Sequence, residues 1–401
     1  MKIGIDCRTI LHPGFGELAG VGHYTYFLIR HLLDLDQENE YVLFFDELFG
    51  KQNAAELVGN YPRAVARFFP FHIYRHLMPF VYRHLLLTGF MARERSDVLH
   101  APDGSLPYTY RAPAVITIHD LAVFKHPEWF PSSVFERFSS QKILLPRAVK
   151  LARRIVVPSE ATAADLRVLF PHVSEKISVI PHGVIPHTAV EFEGGMVSSE
   201  EEMIGPELLA KYHLGERYLL FVGTLEPRKN IAALIRAFRA LRIDPLFKEV
   251  RLAIVGARGW KFEEIFRELE ITNQGASPAE APVQYLGYVP AGDKFLLMKQ
   301  AAAFIFPSRY EGFGLPALEA MSMGTPVITS KVSSLPEVVG EAGILIDPDH
   351  EEEIQKAMEE LLTNESLRQQ LGEAGRRRAE QFTWMKTAER TLEIYRQAAK
   401  K

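Results

Sequence analysis

The stretch AAFIFPSRYEGFGLPALEA, residues 302–320, is the most informative part of this chain about its fold. Its first part, Ala302–Pro307, is a short and continuously apolar run, which is typical of a strand buried on both faces of a parallel sheet. A loop with two glycines follows, and Pro316 is well suited to the first turn of a helix. The stretch therefore predicts a strand, a tight loop and a helix, which is the repeating unit of α/β proteins.

Runs of the same apolar character recur along the chain, and each is followed by a stretch of helix length. This alternation predicts doubly wound α/β domains with parallel sheets. The predicted strands of the first half are Lys2–Asp6, Val42–Phe45, Asp97–His100, Ala114–Asp120, Arg154–Ser159 and Ile177–Gly183. After a polar, glycine-containing stretch at about 184–215, the predicted strands are Tyr218–Thr224, Val250–Gly256, Val283–Val289, Ala302–Pro307, Pro326–Ser330 and Gly343–Asp347.

A chain of 401 residues is too long for one ordinary core. The pause in the alternation predicts a first Rossmann-like domain over 1–190 and a second over 205–384. Ligands bind to such sheets at the carboxyl ends of the strands, so the functional residues are expected just after the apolar runs.

The composition narrows the class of protein. Apolar residues make up 47% and charged residues 24%, which is typical of a folded globular protein. The net charge of −4 gives no global attraction to nucleic acid, so no nucleic-acid partner is expected. Cys7 is the only cysteine, which excludes an intrachain disulfide and a cysteine-based zinc cluster. Asp6 interrupts the first apolar run, and no uncharged apolar stretch reaches about 18 residues, so we expect a cytoplasmic protein without a membrane span.

Two glutamates flank the glycine loop of the quoted stretch. Gly312 and Gly314 let the backbone approach a ligand closely, and the start of the following helix offers amides to an anion. Glu311 directly follows a buried strand and a tyrosine, and Glu319 is expected in the first turn of the helix. In the alternative interpretation Glu319 only favours the helix dipole and Glu311 is solvated, which explains the placement of Glu311 less well.

A second candidate site is Gly223-Thr224-Leu225-Glu226-Pro227-Arg228-Lys229-Asn230, where another buried strand leads into a helix. Arg228 and Lys229 lie where that helix is expected to begin, so two cations and the positive end of the helix dipole meet. This arrangement indicates a phosphate site. The alternative is an exposed basic turn.

The first half contributes two weaker motifs. Gly20 and Gly22 precede the first predicted helix, and glycines at that place are often only turn residues. His119-Asp120 stands at the end of a buried strand, where the pair either hydrogen-bonds a polar ligand or is paired internally.

Together these residues resemble the retaining group-1 glycosyltransferases, the family 4-like enzymes with the GT-B fold. The strongest match is the pair of glutamates separated by seven residues, Glu311 and Glu319, within YEGFGLPALEA. The resemblance covers nearly the whole chain and is most specific in the second domain. It also includes Arg228-Lys229, Gly20–Gly22, His119-Asp120, Gly324–Ile328 and Leu335–Val339.

The resemblance implies an enzyme that binds a nucleoside diphosphate sugar through the second domain and an acceptor through the first. It also implies that a helix at about 385–401 crosses back to the first domain, and the apolar residues of that stretch agree with packing there. The implied contacts are Arg228 and Lys229 to the diphosphate, Glu319 to the ribose, Glu311 and the amides of Gly312, Phe313, Gly314 and Leu315 to the sugar, Val289 and Arg258 to the base, Gly22 to the diphosphate and His119 to the sugar. Glu311, His119, Arg228 and Lys229 are the implied catalytic residues.

The implied chemistry needs no cofactor and no metal. A nucleoside diphosphate leaves with growing negative charge, which two cations and a helix start can stabilise. No Asp-x-Asp motif stands at a strand end, which favours the cations over Mg²⁺ in this role. No protein nucleophile is evident, so retention implies attack by the acceptor on the face that the phosphate leaves, with that phosphate as base. Whether Glu311 does more than bind the sugar stays open.

The donor and two rival functions stay open as well. The motifs look most like bacterial mannosyl- and hexosyltransferases of surface-polysaccharide assembly, so GDP-mannose is the first expectation and a UDP- or dTDP-hexose the second. A GT-B sugar-nucleotide epimerase is one rival. An NAD-dependent oxidoreductase is the other, but its tight glycine fingerprint directly after a strand is missing in register.

The acceptor, a glycan or a lipid-linked glycan, is linked to the segment 61–95. This segment has six arginines and one acidic residue, Glu94, interleaved with aromatic and aliphatic side chains. Such a mixture predicts an interfacial helix on anionic lipid, at the inner face of the membrane. The alternative is a pair of core-packing helices whose arginines face water.

Overall fold

The structure, a computed structural model, describes residues 1–10, 20–47, 51–59, 61–70, 78, 81, 85–131, 144–185, 191–192, 195–196 and 204–400. The chain forms two compact units. The first unit comprises Met1–Phe124, Ser133–Gly183 and Trp384–Lys401, and the second comprises Lys125–Ser132 and Val184–Thr383. The second unit thus begins earlier than the predicted residue 205, and it includes Lys125–Ser132 from within the predicted first domain.

The first unit is built on a seven-stranded parallel sheet with the strand order β3-β2-β1-β4-β5-β6-β7. Its strands are β1 (Lys2–Asp6), β2 (Glu40–Asp46), β3 (Ala64–Phe69), β4 (Val98–Ala101), β5 (Ala114–Thr117), β6 (Arg154–Val157) and β7 (Ile177–Val179). Its helices are α1 (Val21–Leu35), α2 (Lys51–Val58), α3 (Leu87–Arg93), α4 (Ala122–Lys125) and α5 (Glu160–Leu169), with further helical residues at 144–151 and a 3₁₀-helix at Pro171–Lys176.

The second unit is built on a six-stranded parallel sheet, and a two-residue antiparallel pair, β8 (Glu191–Phe192) and β9 (Gly195–Met196), precedes it in the chain. The sheet strands are β10 (Tyr218–Val222), β11 (Arg251–Val255), β12 (Val283–Gly287), β13 (Ala303–Phe306), β14 (Val327–Ser330) and β15 (Gly343–Ile346), in the order β12-β11-β10-β13-β14-β15. The helices are α6 (Ile204–Lys211), α7 (Ile231–Leu241), α8 (Glu263–Thr272), α9 (Ala291–Gln300), α10 (Leu315–Ser322), α11 (Leu335–Val339), α12 (Glu351–Thr363) and α13 (Glu365–Ala379). Short 3₁₀-helices lie at Pro127–Trp129, Pro227–Lys229 and Pro245–Phe247.

The prediction of two doubly wound parallel sheets is confirmed. The central strands are buried along their length, as continuous apolar runs require; Ala303–Phe306 is one of them. β3 was not predicted, because its sequence AVARFF mixes buried and exposed positions, as suits an edge strand. β3 also corrects the prediction for 61–95, since Ala64–Phe69 is a strand and not part of an interfacial helix.

The last helix, α14 (Trp384–Ala399), belongs to the first unit. It packs against α1 and buries its apolar face, including Trp384, Leu392 and Tyr395. The Tyr395 hydroxyl is 2.7 Å from Nδ1 of His100, and the Arg153 guanidinium donates to the carbonyl of Ala398 at 2.8 Å. Apolar packing and directed hydrogen bonds therefore both attach the end of the chain to this unit.

Candidate active site

The sheet topology of the second unit brings the two strongest sequence motifs together. The strand order changes direction between β10 and β13, which are hydrogen-bonded neighbours. Open α/β sheets bind ligands at the carboxyl ends of the strands on either side of such a switch point. β10 leads into Gly223–Asn230 and β13 leads into 307–314, so the predicted phosphate site and the predicted glycine loop lie at this one place.

Arg228 and Lys229 form a buried charge cluster with two glutamates at this switch point. Lys229 Nζ is 2.5 Å from Glu311 Oε1, and Arg228 Nη1 is 3.1 Å from Glu311 Oε2. Arg228 Nε is 2.6 Å from Glu226 Oε1. Glu226, Lys229 and Glu311 are 3%, 7% and 7% exposed, so the alternative of an exposed basic turn does not describe these residues.

The local backbone differs from the prediction at this point. Pro227–Lys229 is a separate 3₁₀ turn, and α7 begins only at Ile231 after a left-handed Asn230 with φ of 58°. The Asn230 side chain donates to the carbonyl of Pro348 at 2.6 Å, which anchors the turn. Arg228 and Lys229 therefore precede the helix and do not lie in its first turn.

Burial and the neighbouring cations shift the pKa of the two glutamates in opposite directions. Burial by itself raises the pKa of Glu311, but the attraction of Lys229 and Arg228 outweighs it and holds the pKa below its usual value. Burial also raises the pKa of Glu226, and there the attraction of Arg228 and Lys229 is not sufficient to reverse the shift. Burial, followed by repulsion from Arg228, lowers the pKa of Lys229. Glu226 is thus the acid of this cluster that gains a proton more readily.

The glycine loop is held in one conformation by α11 and the residues before it. The hydroxyl of Ser334 donates to the carbonyl oxygens of Glu311 and Phe313, both at 2.9 Å. Gly314 precedes α10 with φ of 104°, and a Cβ there would lie 2.7 Å from Leu335, so only glycine fits. These contacts also fix the backbone of the neighbouring residues Gly312, Phe313 and Leu315.

Glu319 is the fifth residue of α10, which begins at Leu315, so it lies just beyond the first turn in which it was predicted. It is 6% exposed, and its Oε2 is 2.9 Å from Lys294 Nζ on α9. Glu311 in the glycine loop and Glu319 in α10 are therefore both buried and both paired with a cation.

The predicted base contacts lie at the ends of β11 and β12. Val289 is buried and follows β12, whose last residue, Gly287, has φ of 64°. Arg258 is exposed, and its guanidinium lies 4.4 Å from the centre of the Phe266 ring. This cation–π contact holds the Arg258 side chain against Phe266 of α8.

In the first unit, Gly22 and His119 take well-defined positions. Gly22 is buried in the first turn of α1, and Gly20 before it has φ of 68°. His119 Nε2 is 2.8 Å from the carbonyl oxygen of Pro102, so that nitrogen carries the proton and Nδ1 accepts from His182 Nε2 at 3.2 Å. Burial lowers the pKa of both imidazoles. A sugar could contact a ring nitrogen of His119 only by replacing its hydrogen bond to Pro102 or to His182.

Two features of the second unit were not predicted from the sequence. Glu226 was not singled out, although a carboxylate next to two cations at a strand end is a recognisable signal. The segment Lys125–Ser132 was not predicted to belong to this unit, because its contacts are distant in sequence. Lys125 lies 5.4 Å from the centre of the Tyr310 ring, and the carbonyl of Trp129 accepts from Trp260 at 3.0 Å.

Two further properties concern the parts of the chain that the structure describes. Among these residues no helix is long and apolar enough to cross a membrane. Within the same residues no group of three or more His, Cys, Asp or Glu side chains is placed to hold a metal ion.

Family models and relatives match both halves of the chain. The model of the glycosyl transferases group 1 matches residues 210–378, and that of glycosyltransferase family 4 matches residues 18–187. The chain is 30% identical to O-antigen chain mannosyltransferase B of Escherichia coli, over 99% of this chain and 100% of that protein. It is 26% identical to the serotype-specific mannosyltransferase WbdA of Escherichia coli, over 98% of this chain but only 48% of that protein.

Solved structures share the fold. Sucrose-phosphate synthase from Thermosynechococcus elongatus superimposes with a TM-score of 0.71 at 21% identity, over 99% of this chain and 98% of that one. Anabaena HepE in complex with UDP and glucose superimposes with a TM-score of 0.72 at 18% identity, over 99% of this chain and 100% of that one. Because a family model matches each half and a relative at 30% identity spans nearly the whole chain, this chain belongs to the group-1 glycosyltransferases with the GT-B fold.

Proposed function

We propose that this glycosyltransferase moves a hexose from a nucleoside diphosphate sugar to a glycan or lipid-linked acceptor, with retention of anomeric configuration. The observation that carries the proposal is the pair of cations at the switch point of the second sheet, the buried Lys229 and the half-buried Arg228. Mannose is the favoured sugar and GDP-mannose the favoured donor, since the two Escherichia coli relatives are named mannosyltransferases. Their names also favour a place in surface-polysaccharide assembly. A UDP- or dTDP-hexose is the second choice.

In this proposal the second unit binds the donor. Arg228 and Lys229 bind the diphosphate, Glu319 accepts hydrogen bonds from the ribose, and Val289 contacts the base through its main chain with Arg258 beside it. Glu311 and the amides of Gly312–Leu315 bind the sugar. In the first unit, Gly22 offers its amide to the diphosphate and His119 faces the sugar.

The charge cluster supplies positive charge that can stabilise the leaving diphosphate. Negative charge grows on the diphosphate as the bond to the sugar breaks, and cations fixed in a site with little water stabilise that charge strongly. The acceptor hydroxyl then attacks the face that the diphosphate leaves, and the departing phosphate oxygen takes the hydroxyl proton. Glu311 already makes ion pairs with both cations, so donor binding must share these cations between Glu311 and the diphosphate.

The family membership favours transfer over the two rivals, epimerisation and hydride transfer. A panel of GDP-mannose, UDP-glucose, dTDP-glucose and NAD in thermal-shift measurements separates them, because a ligand that binds only the folded state raises its melting temperature. We expect a shift with GDP-mannose and none with NAD. Proton NMR of the glycoside product then checks retention, and an inverted product or a shift with NAD alone contradicts the proposal.

Replacing Glu319 with alanine is expected to weaken donor binding while the fold survives. Loss of hydrogen bonds to a charged group costs about 1.5–3 kcal/mol of binding free energy. Lys294, the partner of Glu319, is 20% exposed, so water can solvate it in the variant. Calorimetric titration with GDP-mannose measures the effect, and Glu341→Ala, an exposed glutamate after α11, is the matched control. Equal affinity in both variants would remove Glu319 from the donor site.

Activity is expected to persist in excess EDTA. Arg228 and Lys229 supply the positive charge that a divalent ion supplies in metal-dependent transferases. Initial rates are compared with and without EDTA, and then after Mg²⁺ or Mn²⁺ is added back. Loss of activity with EDTA together with recovery on addition of either metal contradicts this prediction.

The segment 61–95 remains proposed as the contact with anionic lipid near a lipid-linked acceptor. Arg75 and Arg83, the residues chosen to test it, lie outside the described residues. Within the described part, Arg67 is ion-paired with Glu94 at 2.6 Å, so part of the positive charge is compensated. Co-sedimentation with anionic liposomes should occur at low salt and fail when Arg75 and Arg83 become glutamate. Binding that survives these changes, or is equally lost in the control Arg267→Glu/Arg377→Glu, contradicts it.

A further inference from the structure

The charge cluster consists of Glu226, Arg228, Lys229 and Glu311, and the charges of these four side chains sum to zero. Two cations face two carboxylates, and three of the four residues are less than 9% exposed. A nucleoside diphosphate sugar brings two further negative charges into this site. Negative charges placed close together in a site with little water repel strongly, so binding is more favourable when one carboxyl group becomes neutral.

Glu226 also determines where the Arg228 guanidinium points. Nε of Arg228 donates to Glu226, while Nη1 donates to the carbonyl of Tyr310 and to Glu311, both at 3.1 Å. A planar guanidinium held on two edges has one orientation. Glu226 itself is fixed, because it lies directly before the 3₁₀ turn Pro227–Lys229 and its carbonyl accepts from the Lys229 amide at 3.1 Å.

We propose that Glu226 is a positioning residue that orients Arg228 toward the diphosphate and takes up one proton from solvent when the donor binds. This inference rests on the donor site described under the proposed function. It adds to that site a residue and a proton that the sequence motifs do not include.

The geometry selects Glu226 over Glu311 as the group that gains the proton. Glu311 contacts both cations, whereas Glu226 contacts Arg228 alone among the ion pairs of the described residues. The charged groups that act on Glu226 are Arg228, Lys229 and Glu311. The raised pKa of Glu226 and the lowered pKa of Glu311 agree with this choice.

The direction of the pH dependence follows from linkage. A nearby diphosphate raises the pKa of Glu226 further, so the donor complex binds more protons than the free enzyme. Between the pKa of Glu226 in the free and in the bound protein, donor affinity then falls with rising pH, by at most tenfold per pH unit for one proton. Below and above that interval the affinity is independent of this group.

The test is calorimetric titration with GDP-mannose and with UDP-glucose, whose diphosphates are esterified at both ends and do not titrate near neutral pH. Repeating each titration in buffers with different ionisation enthalpies gives the number of protons taken up. We expect proton uptake by the wild type, none by Glu226→Gln, and unchanged uptake by the control Glu270→Gln, an exposed glutamate on α8. Glu226→Gln should also lose the fall in affinity with rising pH, whereas a purely structural role of Glu226 predicts no change in either quantity.

The outcomes separate this inference from the donor assignment. Donor binding by the wild type without proton uptake at any pH of the series, or with the same uptake in Glu226→Gln, overturns the role of Glu226 and leaves the donor site intact. If UDP-glucose binds and GDP-mannose does not, the favoured donor is wrong, and the proton count with UDP-glucose still decides the role of Glu226. Absence of binding by both donors overturns the proposed donor site, and this inference fails with it.

Discussion

Replacing Lys229 with methionine is expected to lower kcat/KM for donor consumption by about 10²–10³, the usual effect of removing one preorganised group that stabilises charge in the transition state. Lys229 Nζ is the closest cation to Glu311, and the side chain is 7% exposed. Methionine keeps the length and the apolar contacts of the lysine stem while it removes the charge. Steady-state kinetics with GDP-mannose and an O-antigen-type glycan acceptor measure the loss.

The same substitution is also expected to destabilise the second unit. Glu311 then keeps only Arg228 as a cationic partner in a buried site, and breaking a buried ion pair on one side costs about 3–5 kcal/mol. Because burial is no longer fully opposed, the pKa of Glu311 should rise. The stability that the ionised carboxylate contributes in the wild type, where its pKa is lowered, should then be smaller at neutral pH.

Two further variants separate catalysis from folding. Lys229→Met/Glu311→Gln removes both members of the pair and should recover most of the melting temperature, but it should not recover activity. Lys299→Met, at an exposed position on α9, is the matched control and should behave as the wild type. If Lys229→Met retains nearly full activity, the cations at this switch point do not stabilise the leaving diphosphate.

Deleting Thr391–Lys401 is expected to prevent stable folding of the first unit. The deletion removes Thr391, Leu392, Ile394, Tyr395 and Ala398, all of which are buried. Removing one large buried side chain costs about 2–5 kcal/mol. Several such losses exceed the 5–15 kcal/mol by which a typical domain is stable. The hydrogen bonds of Tyr395 to His100 and of Arg153 to Ala398 disappear as well.

Thermal unfolding and limited proteolysis of the truncated chain check this prediction. The first unit should be cleaved rapidly, while the fragment that carries the second unit persists. Full-length Tyr395→Ala should show a smaller loss in the same direction, and Glu389→Ala, exposed on the same helix, should show none. A truncated chain with unchanged melting contradicts the assignment of α14 to the core of the first unit.

Whether a strand could be predicted from the sequence depended on its burial and its length. Central strands such as β10 and β13 were found from sequence because both of their faces are buried, which requires an uninterrupted apolar run. β3 was not predicted, because one face of an edge strand can carry polar residues and the apolar run is then interrupted. The pair β8 and β9 lies in the polar stretch at about 184–215, where no strand was predicted, because two-residue strands leave no periodic pattern.

The order of the central strands could be predicted from the sequence, and with it the strand ends at which Arg228, Lys229 and Glu311 stand. Each of these features depends on neighbours within a few residues, which the local pattern of apolar residues, glycines and charges records. Three features became visible only in the folded chain: Lys229 pairs with a glutamate 82 positions away, Glu226 contacts and orients Arg228, and Lys125–Ser132 belongs to the second unit. These contacts depend on which strands become neighbours in the sheet, and that choice is made by packing over the whole unit and not by any one segment.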